Sequence, residues 1–100
     1  AIRDSAGRGV KVSDDEIISG IVDLARSTGV FVEPAAAAAF AGFVKMSQGG
    51  EIKSDERVLL MLTGNGLKDI DSARRRIPDP LRVQPDLDSI AECGLGIADW

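Results

Sequence analysis

The sequence predicts an α/β chain, an incomplete piece of a parallel-sheet domain in which helices cover a short sheet. Three observations carry that prediction. Five apolar residues, Val58 to Leu62, run unbroken into Thr63-Gly64-Asn65-Gly66, the pattern of a strand buried on both faces. Two helical stretches precede them, one opened by Ser13-Asp14-Asp15-Glu16 and the other by Glu33-Pro34. Short strand-like pieces, residues 8–12 and 30–32, alternate with these helices, and that order calls for a parallel sheet.

The first helix has a capping box: Ser13 accepts from the Glu16 amide while Glu16 reaches back to the amide of Ser13. Apolar residues at Ile17, Ile18, Ile21, Leu24 and Ala25 form one face, and Gly29 ends the helix as a C′ glycine. Gly20 inside it costs about 1 kcal/mol against alanine, which is explained if a neighbour packs closely there. Pro34 suits the first position of a second helix. Alanines 35 to 39 follow, then Phe40, Phe43 and Val44 at contact spacing, and Gly49-Gly50 stops the run. Glu33 has two readings, a carboxylate favoured by the positive end of that helix or an acid beside a ligand at the sheet edge.

A charged connector, residues 51–57, leads into the apolar strand. Beyond Asp69 a short helix is expected from Ile70 to Arg76, with Asp71 in its first turn; Pro78, Pro80 and Pro85 then forbid regular structure. Asp86 can cap a last helix running from Leu87 to Cys93 and stopped by Gly94, with Cys93 a small buried residue of it. Trp100 either docks a tail or hangs free. Residues 1–76 thus read as the body and 77–100 as a Pro-rich connector with a helical tail.

One hundred residues suffice for one domain, and 44% apolar with 28% charged residues is ordinary for a globular chain. A net charge of −4 gives no electrostatic reason to expect nucleic acid or an anionic membrane surface. Arg74-Arg75-Arg76, the one basic cluster, suits a solvated helix end. With one cysteine and no histidine, neither an intramolecular disulfide, a zinc site nor a His-based triad can be assembled. No apolar run approaches the roughly 20 residues of a membrane span and no basic leader is visible, so a cytoplasmic setting is expected. The chain starts at Ala1 and enters a strand-like piece almost at once, which reads as a cut from something longer.

Ligands of open α/β sheets bind at the carboxyl ends of strands, and Thr63 stands at such an end. Gly66-Leu67-Lys68-Asp69 fails the Walker pattern, and the dinucleotide fingerprint matches only at Gly64 and Gly66, with Asp69 where a third glycine belongs. A hydroxyl followed by glycines still has a use: it can donate to or accept from a ring nitrogen or an anion while the bare backbone admits the ligand closely. The bland alternative is a tight turn with an incidental threonine.

Val12-Ser13-Asp14-Asp15-Glu16-Ile17, Gly29-Val30-Phe31-Val32-Glu33-Pro34-Ala35 and Leu62-Thr63-Gly64-Asn65-Gly66-Leu67-Lys68-Asp69, in this order and spacing, resemble the C-terminal part of the threonine synthase family. The likeness runs from Val10 to Asp71. It implies the tryptophan-synthase-β fold, pyridoxal 5′-phosphate as cofactor, and conversion of O-phosphohomoserine and water into threonine and phosphate. It puts Thr63 against the pyridine nitrogen, lets Gly64, Asn65 and Gly66 shape the wall beside the ring, and sets Glu33 near the cofactor. A neutral hydroxyl at that nitrogen moderates the electron sink that an aspartate would strengthen. Many relatives have Glu-Pro-Ala-Ser where Ala36 stands here, so any hydrogen bond from that serine is lost.

The same resemblance locates the cofactor-bearing lysine and the glycine-rich phosphate loop far upstream, outside this stretch. Lys11, Lys45 and Lys53 read as solvated, and Lys68 lacks the family's context for such a lysine. The chain is therefore expected to supply one wall of an active site and no catalytic residue, with the rest of its own catalytic chain and O-phosphohomoserine as partners; a homodimer is compatible with this. A threonine or serine dehydratase of the same fold, or a non-catalytic α/β interaction module, stay open as alternatives.

Overall fold

The computed structural model describes residues 1–93. Four helices lie among the described residues: α1, Asp14–Thr28; α2, Pro34–Gln48; α3, Ile70–Arg74; and α4, Leu87–Glu92. A 3-10 turn, Gly66–Lys68, lies just ahead of α3. Helix α1 begins as its sequence dictates. The Glu16 amide donates to Ser13 Oγ at 3.2 Å and the Ser13 amide donates to Glu16 Oε2 at 2.6 Å. At the other end Gly29 takes a left-handed φ of 76° and returns its amide to Ala25 O, the cap that glycine adopts without steric cost.

Helices α1 and α2 pack on each other, and the contact is made by small residues. Ile18, Ile21 and Leu24 of α1 meet Ala36 and Ala37 of α2, with Val32 and Ala73 completing the core. Alanine dominates the buried side of α2, where Ala36, Ala37 and Ala41 lie, while Phe40, Phe43 and Val44 are only half-buried. The contact stripe expected from the larger side chains is thus displaced toward the alanines, because a methyl face lets two helix backbones approach closely. Gly20 marks that approach: a Cβ added there would stand 3.4 Å from the Phe40 ring and 3.5 Å from the Ala37 carbonyl. Lys45 Nζ on α2 closes the far side of the pair on Glu16 Oε1 at 3.0 Å.

The expected parallel sheet does not form among the described residues. Residues 8–12, 30–32 and 58–62 include no ladder of strands, and the only bridge is antiparallel, between Val32 and Asn65. The physical reason is that a strand apolar on both faces needs hydrogen-bonding neighbours on both sides, and these residues supply none. Val58, Leu59 and Met61 consequently stand 47%, 86% and 73% exposed. The shape agrees. The Cα radius of gyration is 18.3 Å, against about 13 Å for a compact domain of this length. A groove of about 670 Å³ separates the second face of α2 from this segment and the N-terminal arm, with Val10, Phe43, Met46, Val58 and Leu60 among its walls.

Past the loop, α3 ends at Arg74, two residues before the expected Arg76, leaving the arginines exposed; Arg76 reaches Asp15 at 3.5 Å. Asp86 caps α4 by accepting from the Ser89 amide, as expected. Cys93 is the C-cap of α4 rather than a buried residue within it: it is half-buried, with its thiol donating to Ile90 O at 2.9 Å. Gly94 and Trp100 lie outside the described residues. No helix among the described residues is long and apolar enough to cross a membrane.

Two outcomes are expected of α1 in the intact protein. Ser13→Ala lowers stability by about 1 kcal/mol, readable by urea unfolding. The Ser13 amide and then Lys45 hold the Glu16 carboxyl below its ordinary value, so its contribution is complete above that value and is lost as pH falls through the lowered one. Glu16→Gln should therefore be less stable than the parent at neutral pH and converge with it in acid; a gap that persists in acid contradicts the cap. At the helix crossing, Gly20→Ala should gain up to about 1 kcal/mol from helix propensity, whereas Gly20→Leu should separate α1 from α2 and lower the melting temperature.

Candidate functional site

The site is built where the chain leaving α1 meets the loop after the apolar segment. Between α1 and α2 the residues alternate: Val32 is 2% exposed and points into the core, while Phe31 and Glu33 share the other face. That face lies against the glycine loop. The Gly66 amide donates to Phe31 O and the Glu33 amide donates to Gly64 O, both at 3.1 Å, so that Phe31 stands opposite Gly66, Val32 opposite Asn65, and Glu33 opposite Gly64.

Each glycine seats the side chain across from it. A Cβ on Gly66 would stand 2.5 to 2.6 Å from three atoms of the Phe31 ring, and a Cβ on Gly64 would coincide with the side chain of Glu33. Neither glycine has a positive φ; among the described glycines only Gly29 and Gly50 do. Glycine is needed at 64 and 66 for space, not for backbone conformation. Both are buried, whereas Thr63 and Asn65 are exposed. Asn65 uses its side chain locally, Oδ1 accepting from the Leu67 amide at 2.9 Å to open the 3-10 turn. The Thr63 hydroxyl makes no protein hydrogen bond among the described residues and remains available at the rim.

Glu33 occupies the N-cap of α2 without capping it. Its side chain instead crosses onto Gly64, and its carboxylate pairs with Lys68 Nζ at 3.7 Å. The helix end does not claim this acid, and solvent reaches only part of its side chain. Downstream, Asp69 accepts from the Ser72 hydroxyl at 2.6 Å and from the Ser72 amide at 3.1 Å. These donors hold its carboxyl below the ordinary value and tie the end of the loop to α3.

The structure therefore brings together Thr63, Gly64, Asn65, Gly66 and Glu33, the residues singled out in the sequence. Sequence reasoning missed Phe31 and Lys68. The signal for Phe31 was the period-2 alternation of Phe31-Val32-Glu33, which a three-residue apolar piece is too short to make conspicuous. Lys68 carried no signal beyond its charge, since its pairing with Glu33 spans the fold.

Comparison with known proteins agrees with the motif. The model of the pyridoxal-phosphate dependent enzyme family matches residues 1–64. A threonine synthase of Methanocaldococcus jannaschii is 42% identical over 87 residues, 87% of this chain and 22% of that protein. Threonine synthases of Mycobacterium tuberculosis and Halalkalibacterium halodurans are 41% identical over 98 residues and 44% over 86, covering 98% and 86% of this chain and 27% and 24% of theirs. The chain spans about a quarter of the length of these relatives. The mycobacterial likeness reaches well beyond Asp71, so the tail shares in it.

Because the glycines make room for neighbours, Gly66→Ala and Gly64→Ala should each destabilise the intact protein by about 1 to 3 kcal/mol. Gly66→Ala should cost more, since the Phe31 ring is packed against the core while the Glu33 side chain can swing out. Equal melting temperatures for Gly66→Ala and the parent would contradict this packing.

Proposed function

This chain belongs to the pyridoxal-phosphate dependent enzyme family, and we propose that it is the C-terminal portion of a threonine synthase, contributing one wall of the active site. The observation that carries the proposal is the exposed Thr63 hydroxyl on a glycine loop held rigidly by residues 31–33, in a chain about 40% identical to threonine synthases over most of its length. The relatives' names favour this over a dehydratase of the same fold. In this reading residues 1–76 belong to the catalytic domain and 77–100 form a connector and tail, in a cytoplasmic enzyme compatible with a homodimer.

The residues present fit the cofactor. Its pyridine nitrogen needs a small polar partner with no competing bond, and Thr63 offers a hydroxyl that no group among the described residues claims. When bound, pyridoxal phosphate withdraws electrons from the amino-acid substrate so that protons along its side chain can be removed. Thr63 would meet the ring nitrogen as a neutral partner, which moderates that withdrawal and suits a reaction in which phosphate leaves one carbon and water adds at its neighbour. Gly64, Asn65 and Gly66 would form the wall beside the ring, with Glu33 at its edge. The cofactor-bearing lysine, the phosphate loop and the pocket for O-phosphohomoserine would come from the rest of the enzyme.

The missing sheet fits the same reading. Residues 58–62 would be an inner strand whose partners lie in the remainder of the protein, and their exposed apolar side chains support this.

In the intact enzyme, Thr63→Val should keep the melting temperature, shift the absorption band of the bound cofactor, and lower turnover of O-phosphohomoserine by about two- to tenfold, the equivalent of one hydrogen bond between neutral groups. Thr63→Ser should retain most of the activity. Unchanged kinetics in Thr63→Val would falsify the ring-nitrogen role, and an intact protein that releases no phosphate from O-phosphohomoserine would remove the enzyme assignment itself.

A further inference from the structure

We propose that Phe31, Glu33 and Lys68 are positioning residues that lock the loop carrying Thr63, so that the aim of its hydroxyl is set from the start of α2 and not by the loop alone. The inference rests on the role proposed above for Thr63. A loop of six residues, Thr63 to Lys68, whose one apolar side chain, Leu67, is 72% exposed, has no packing of its own with which to hold a hydroxyl. Here it is fastened at separate points. Two backbone hydrogen bonds, Gly66 to Phe31 and Glu33 to Gly64, fix the peptide planes on either side of Asn65. The Phe31 ring fills the space over Gly66, and the Glu33 side chain fills the space over Gly64.

The remaining attachment is the pair between Glu33 and Lys68 at 3.7 Å. It joins the two ends of the loop, because Glu33 lies on Gly64, next to Thr63, while Lys68 closes the 3-10 turn. Contacts at the entry, middle and exit of so short a loop leave it little freedom to rotate. Lys68 is 67% exposed, and an exposed pair adds at most about 1 kcal/mol to stability. Its effect should therefore be visible in geometry at the active site more than in the melting temperature.

This separation supplies the test, made on the intact enzyme. Lys68→Met and Glu33→Gln are compared with Thr63→Val, and Lys45→Met, which breaks the unrelated pair with Glu16, serves as control. Both loop variants should melt near the parent and move the bound cofactor's absorption band in the direction seen for Thr63→Val. They should lower kcat roughly fivefold with little change in KM, the rate equivalent of about 1 kcal/mol. Lys68→Arg should restore the band, and neither loop variant should add a further shift in a Thr63→Val background. Lys45→Met should leave the band in place. If Thr63→Val moves the band while Lys68→Met and Glu33→Gln do not, or if their effects add to it, the lock is wrong and the ring-nitrogen role stands. If Thr63→Val itself changes nothing, the role of Thr63 falls and the lock falls with it.

Discussion

The arrangement depends on one small contact, the two hydrogen bonds that pair Phe31 and Glu33 with Gly66 and Gly64. Without it the loop that follows the apolar segment would be held to the helical pair only from its two ends, by the irregular chain of residues 49–63 and by α3, whose Ala73 lies in the core. With it, Val32 is buried in the core while Phe31, packed against the edge of that core, and Glu33 are laid over the loop. A period of two in three residues thus couples hydrophobic burial to the placement of Thr63.

The contact can form only because its surroundings are small. Phe31 and Glu33 sit flush with the loop because positions 64 and 66 have no side chains, and α2 lies close to α1 because its buried face is alanine. The same device recurs at two scales: bulk on one partner is matched by its absence on the other. In the helical pair this produces a core in which Ile21 is the only large side chain that is fully buried. Such a core is thin, and it is consistent with a helical layer meant to be covered on its other face.

Much of this was legible in the residues. The capping box of α1, the left-handed Gly29, the proline start of α2 and the aspartate cap of α4 are local events, decided by side chains three or four positions apart, and each appeared where the sequence put it. Thr63 was also marked in advance, by its place between an apolar run and glycines, and the resemblance to the threonine synthase family marked Gly64, Asn65, Gly66 and Glu33 beside it. The sheet was not recovered. Strand pairing is non-local, and a chain can announce a buried strand without containing the neighbours that bury it. The Glu33–Lys68 pair was hidden for the same reason, since charge on a loop says nothing about what folds over it.

Glycine at positions 64 and 66 invites a single explanation, close approach of a ligand, but the geometry gives it a prior task. The space that each missing side chain leaves is already filled from within the chain, by Glu33 and by Phe31. What the loop offers outward is therefore not the bare faces of its glycines but the rim between and beside them, Thr63 and Asn65, both exposed. Asn65 is tied to Leu67 through its Oδ1, which leaves Thr63 as the one polar side chain of the stretch from 63 to 66 with no hydrogen bond among the described residues. In the proposed role, such a backing with a free hydroxyl would suit a flat aromatic ring better than an open glycine surface, since orientation counts for more than room when one hydrogen bond has to tune a cofactor. The glycines serve the threonine by being filled.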